Sequence, residues 1–268
     1  MKGNTRVTGK EQYYTLPEVV DLCVEASISY YTGEAVLEPC GGTGEFIEGL
    51  LRAGVQDVDI YSYDIEPKHG YVEKGDFLTQ TLDRPYFVVS NPPFGRANSL
   101  SVKFFNHAAT NATYICFLVP KAWRKWSIVN KLDPNFWLVK ELEMPPVAFY
   151  NEFGPIQGGN LSTVFQIWER RDAKREKIVI TDRGYLKASS PEEADVAITL
   201  FGYSSGRIET DFVREPNTTK KYFKVKDATV VDALQAVDYT RFNRNVSYTY
   251  SLSLQEINYL LNEWYDSQ

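Results

Sequence analysis

Residues 35–51 limit the fold of this 268-residue chain more than any other stretch. Ala35-Val36-Leu37-Glu38 is a short apolar run of strand character, and Glu45-Phe46-Ile47-Glu48-Gly49-Leu50-Leu51 has the spacing of an amphipathic helix. Between them lies Pro39-Cys40-Gly41-Gly42-Thr43-Gly44, a turn whose missing Cβ atoms let a ligand approach the main chain. A strand, a tight turn and a helix in so few residues predict one unit of a parallel α/β sheet. The turn has no third glycine after Gly44, so it departs from the dinucleotide-binding Gly-x-Gly-x-x-Gly pattern.

The residues that follow extend the same pattern. Val58-Asp59-Ile60-Tyr61-Ser62-Tyr63 reads as a second strand ending in Asp64, the place where a doubly wound sheet holds ribose hydroxyls. Gly70 to Lys74 reads as a third, leading to Gly75-Asp76-Phe77-Leu78. The fourth, Tyr86-Phe87-Val88-Val89-Ser90, is apolar almost without interruption, as expected of a strand covered on both faces. It stops at Asn91-Pro92-Pro93-Phe94-Gly95. Asn-Pro also begins ordinary turns and Pro-Pro is common in loops. The string nevertheless suits chemistry on a planar exocyclic amino group, whose conjugated nitrogen is a poor nucleophile. An amide oxygen and a carbonyl held by prolines can accept its two N–H bonds, and a neighbouring ring can stack on the flat substrate.

In this order, Glu38-Pro-Cys-Gly-Gly-Thr-Gly44, Asp64, Asp76-Phe77 and Asn91-Pro-Pro-Phe94 resemble successive motifs of class I S-adenosylmethionine-dependent amino-methyltransferases. Upstream, Gln12-Tyr13-Tyr14-Thr15-Leu16-Pro17 is similar to the Gln-Tyr-Tyr/Phe-Thr-Pro segment of DNA adenine-N6 methyltransferases, with Leu16 intervening before the proline. The resemblance covers about residues 9–170 and has the gamma motif order. It implies a Rossmann-like α/β fold with a seven-stranded, mostly parallel sheet. It further implies a cofactor set of Tyr13, Tyr14, Thr15, Glu38, Gly42, Thr43, Gly44, Asp64, Ile65, Asp76, Phe77 and Asn91. Asn91, Pro92, Pro93 and Phe94 become the catalytic loop, acting on an adenine flipped out of DNA, with Phe94 stacking on it. In related enzymes an aromatic shortly before the last strand covers the second face of the base. Phe153 is the candidate, with Phe149 behind it; a hydrophobic plug is the alternative. RNA adenine-N6 transfer, protein glutamine-N5 transfer and a non-catalytic partner subunit are the rival readings.

The net charge of −6 does not suggest a nucleic-acid binder, but the charge is unevenly spread. Residues 101–190 hold 13 Lys and Arg against 8 Asp and Glu. Arg96, Lys121, Arg124 and Lys125 are the candidate phosphate contacts; a solvated helix face anchored by Trp123 and Trp126 would give the same string. Arg170 to Arg175 reads as a linker. Cys23, Cys40 and Cys116 share no metal-like spacing and His69 and His107 stand far apart, so neither a metal nor a disulfide is expected. No signal-like or membrane-spanning run is present, which predicts a cytoplasmic protein.

Two segments are expected: a catalytic domain over 1–175 and a small α+β extension over 176–268, a candidate target-recognition region. In the extension, Lys177 to Thr181, Ala194 to Phe201 and Tyr222 to Lys226 read as strands. Ala228 to Val237 and Leu252 to Tyr265 read as helices, the second capped by Ser251 or Ser253.

Overall fold

The computed structural model describes residues 13–156, 161–214 and 219–268. The chain divides into two units, residues 1–177 and 178–268. Gly9 to Gln12 of the upstream segment lie outside the described residues.

Among the described residues, ten strands belong to the first unit. They are β1 (Tyr14–Thr15), β2 (Ala35–Glu38), β3 (Ile60–Asp64), β4 (Glu73–Lys74), β5 (Tyr86–Ser90), β6 (Ala112–Pro120), β7 (Phe136–Glu143), β8 (Phe149–Asn151), β9 (Gly154–Pro155) and β10 (Thr163–Arg170). Seven form one sheet in the order β4-β3-β2-β5-β6-β10-β7. The ladders from β4 to β6 are parallel, and β10 runs antiparallel to both of its neighbours. This is the Rossmann-like, mostly parallel α/β sheet that the motif order implied. Every residue of β5 is buried. Phe87 and Val89 pack on one face of the sheet, Val88 on the other, against two separate hydrophobic layers. That explains why the run does not alternate.

The helix Pro17–Ser27 begins on Pro17, whose fixed φ suits a first turn. It packs against the helix Glu45–Arg52 at Gly49, where a Cβ would come 2.6 Å from Val20 Cγ1. A separate three-stranded sheet, β1-β8-β9, pairs Tyr14 with Tyr150 and Thr15 with Phe149. Periodicity gave no sign of this sheet, because it joins distant residues.

Two expectations shift. The second strand begins at Ile60, since Asp57–Asp59 forms a 3-10 turn, and the third is only Glu73–Lys74.

The second unit is a four-stranded antiparallel sheet in the order β11-β14-β12-β13: β11 Leu186–Ala188, β12 Val196–Thr199, β13 Ile208–Glu209 and β14 Lys220–Val225. Its core joins Val196, Ile198 and Phe223 to Val230, Leu234, Ile257 and Leu261 from helices Thr229–Ala236 and Leu254–Asp266. Ser253 caps the last helix reciprocally with Glu256. Lys177 to Thr181 is not a strand, although it alternates; β14 pairs with Val196–Thr199 on one side and with Leu186–Ala188 on the other. Alternation marks a strand only where a partner edge is available.

Candidate active site

The carboxyl ends of β2, β3, β4 and β5 open onto one cavity of about 550 Å³. Parallel α/β sheets place their ligands at this edge. Glu38, Gly42, Thr43, Asp64, Ile65, Asp76 and Phe77 border it, as do Asn91, Pro92, Pro93, Phe94 and Arg96. Tyr13, Tyr14 and Thr15 of the small sheet supply another wall. Gly44 does not border it.

The glycines of the turn serve different ends. Gly42 (φ +48) faces Tyr14, whose ring would be 3.3 Å from an added Cβ. Its N–H donates to Asp64 Oδ2 at 3.0 Å, which ties the turn to the end of β3. Gly41 and Gly44 are glycine because protein fills the space: an added Cβ would meet Ser62 Oγ at 2.3 Å and the His69 ring at 2.4 Å respectively. The reading that Gly44 admits a ligand is therefore corrected. Gly44 (φ +84) admits His69, whose Nε2 lies 3.1 Å from Glu48 Oε1.

Glu38 is buried at the end of β2. Its Oε1 accepts from Ser90 Oγ at 2.5 Å and from the Cys40 N–H at 3.1 Å, while Oε2 is buried without a hydrogen-bond partner. Burial pushes its carboxyl up to about 8, against the pull of Ser90 and Cys40, and Asp64 pushes in the same direction. Asp64 also accepts from the Glu66 N–H, and Asp76 from the Leu78 N–H, so both carboxylates are fixed by main chain. Phe77 is fully buried against Phe104 and His107. That contact accounts for His107 as a packing residue.

Asn91 donates from Nδ2 to the Tyr13 carbonyl at 2.8 Å, which assigns the other amide atom, Oδ1, as an acceptor. The Phe94 ring stands nearly parallel to Tyr13, with centroids 6.4 Å apart, and edge-on to Phe149 at 6.3 Å. Just beyond, Ala97 (φ 52) and Asn98 (φ 61) hold left-handed conformations that non-glycine residues seldom adopt. Tyr150, unnoticed in the sequence, donates to Glu45 Oε1 at 2.7 Å and lies 3.1 Å from Thr43 Oγ1, fastening β8 to the glycine turn.

The ionisable side chains around the cavity are mostly acidic. Glu38, Glu45, Asp64, Glu66 and Asp76 border it, and Arg96 is the one cationic side chain among the described residues that do so.

The other proposed cations are engaged elsewhere. Lys121 pairs with Glu143 at 3.0 Å, and Arg124 with Glu141 at 2.7 Å and Glu143 at 3.1 Å, both acids on β7. Burial disfavours the Arg124 charge, but these acids outweigh it and its pKa is raised. Neither they nor Lys125 border the cavity, and Trp123 is a buried anchor. Arg170 and Arg175 donate to the Ala112 and Phe136 carbonyls, so this cluster closes the end of the sheet. Phe153 lies in the turn between β8 and β9, 83% exposed, and does not border the cavity. Among the described residues, no group of three or more His, Cys, Asp or Glu side chains could hold a metal, and no helix is long and apolar enough to cross a membrane.

No family model matches the chain, and no curated protein does. Solved structures do. A candidate RNA methyltransferase from Pyrococcus horikoshii aligns at TM-score 0.46 and 16% identity over 60% of this chain and 87% of its own. A candidate class I S-adenosylmethionine-dependent methyltransferase from Listeria monocytogenes aligns at 0.44 and 18%, over 61% and 62%. A type I restriction-modification methyltransferase subunit from Streptococcus thermophilus aligns at 0.41 and 12%, over 86% of this chain but 54% of that subunit. The chain thus spans about half the length of the last.

Proposed function

We propose that the chain transfers a methyl group from S-adenosylmethionine to the exocyclic N6 of adenine in DNA. The observation that carries the reading is the Asn91 side chain, whose Nδ2 is taken up by the Tyr13 carbonyl so that Oδ1 is left as an acceptor, on a residue bordering a cavity with five acidic side chains. Such a cavity repels the phosphates of a dinucleotide and suits a ligand bearing positive charge. The unpartnered Glu38 Oε2 calls for a cationic donor, and the ammonium and sulfonium of S-adenosylmethionine are of that kind.

When bound, S-adenosylmethionine supplies an electrophilic methyl group. Glu38 would hold its amino-acid portion, Asp64 the ribose hydroxyls and Asp76 the adenine amino group, with Gly42, Thr43 and Ile65 beside them. Asn91 Oδ1 and the Pro92 carbonyl would accept the two hydrogens of the target amino group. Electron density then shifts onto that nitrogen, and the charge that develops during transfer is stabilised. The amino proton becomes acidic after transfer, so a strong general base is not required. Unstacking the adenine costs a few kcal/mol, and stacking on Phe94 offsets about 1–3 kcal/mol of it. Phe153 is the candidate for the second face, and Arg96 for a phosphate. Residues 178–268 would contribute target recognition, and the reaction belongs with cytoplasmic DNA.

Radiolabelled S-adenosylmethionine incubated with unmethylated duplex DNA, bulk RNA and protein extract tests the reading. N6-methyladenine in DNA, lost in Asn91→Ala, is the expected result. Label in RNA or in glutamine residues would move the enzyme to a different acceptor, and no label would remove the reaction.

A further inference from the structure

Glu38 and Asn91 belong to adjacent parallel strand ends, and two small side chains bridge them. Ser90 Oγ donates to Glu38 Oε1, and Cys40 Sγ lies 2.9 Å from Ser90 Oγ and 3.2 Å from the Asn91 carbonyl oxygen. Cys40 is the only one of the three cysteines that is not fully buried, and it borders the cavity. We infer that Ser90 and Cys40 are positioning residues: they tie the main chain of Asn91 to Glu38, and the charge on Glu38 decides how fully the thiol hydrogen is committed to the Asn91 carbonyl.

The argument is a count of hydrogens. Ser90 and Cys40 have one each, and Glu38 has one only when neutral. A neutral Glu38 can give its hydrogen to Ser90 Oγ, which sends the Ser90 hydrogen to Cys40 Sγ and the thiol hydrogen to Asn91. An ionised Glu38 instead takes the Ser90 hydrogen, and Ser90 Oγ then competes with the Asn91 carbonyl for the thiol hydrogen. The two patterns exclude each other because no group has a spare donor. Burial favours the neutral form of Glu38, with Asp64 adding to that effect, and a bound cation favours the ionised one. Burial, then the Glu38 charge, raises the Cys40 pKa, so the thiol keeps its hydrogen in either pattern. Hydrogen-bond chains of this kind strengthen cooperatively in a low-dielectric interior. The identity of the cation rests on the methyltransferase reading.

The test compares Cys40→Ala, Ser90→Ala and Cys40→Ser with the parent chain. Titration calorimetry gives S-adenosylmethionine affinity, and radiolabel transfer at saturating cofactor gives turnover. The alanine variants are expected to bind within about threefold of the parent and to turn over about tenfold more slowly. Cys40→Ser keeps a hydroxyl donor and is expected to recover most of the lost rate. Unchanged turnover in the alanine variants, affinity falling in step with turnover, or a Cys40→Ser as slow as Cys40→Ala would each overturn the relay. A parent that does not bind S-adenosylmethionine, or binds it and transfers nothing, overturns the underlying reading and the relay with it.

Discussion

The Asn91 side-chain amide is hydrogen-bonded to the main chain of Tyr13, 2.8 Å away and 78 residues earlier. Each of the two groups restrains the other. Tyr13 takes up the donor end of the amide, and Asn91 ties down the segment that carries Tyr13 and Tyr14, which border the cavity.

Asn91→Asp retains an oxygen in place of Oδ1 but cannot donate to Tyr13, and two oxygens would then face each other. Transfer is expected to fall by about 10²–10³, the range for loss of one preorganised group at a developing charge. S-adenosylmethionine affinity should stay within a few-fold. Single-turnover kinetics beside calorimetry separates the two effects.

Glu38 makes stability depend on pH. Its carboxyl is raised from an ordinary 4.5 to about 8, so the folded chain holds a proton that the unfolded chain has released between those values. The contribution is complete below about pH 4.5 and is lost as pH rises through about 8. Its size is at most about 5 kcal/mol. Melting of the ligand-free protein should therefore fall from pH 5 to pH 8.5 relative to Glu38→Gln. S-adenosylmethionine should restore more stability at the upper end of that range.

Gly44→Ala forces a side chain into left-handed backbone and against the His69 ring. The first effect costs about 1–2 kcal/mol and the overpacking about 1–3 kcal/mol. Combining it with His69→Ala should recover the overpacking part and leave the backbone part. Urea unfolding of both variants is the check, and equal losses would show that His69 is not what requires the glycine.

Arg96 and Arg124 should differ in a salt-dependent DNA-binding assay. Arg96→Ala is expected to reduce the slope of log affinity against log salt by about one. Arg124→Ala should leave the slope alone and lower stability by about 1–2 kcal/mol, since it takes the arginine from Glu141 and leaves Glu143 with Lys121 alone.

The strand ends were legible because their signals are local. Glu38, Asp64 and Asn91 each close or follow a short, largely apolar run, and a parallel sheet delivers such ends to one edge. The capping of the last helix by Ser253 was legible for the same reason. What was hidden depends on register between distant segments. Nothing near Lys121 or Arg124 tells that Glu141 and Glu143 lie opposite them, so these residues read as free basic charge. Nothing near Gly44 tells that His69 folds back onto it. Lys177 to Thr181 alternates as a strand does, yet the edge it would need is taken by Leu186–Ala188.

The pairing of Tyr14 with Tyr150 also bears on the order in which the site is made. As the chain leaves the ribosome, the glycine turn and the Asn91 loop emerge well before β8, the strand that holds Tyr14 in place. Closing so long a loop is slow compared with forming a helix or a neighbouring strand. The parallel part of the sheet, β2 to β6, can therefore assemble while the site still lacks a wall, and binding competence should follow as a later step than the pairing of those strands.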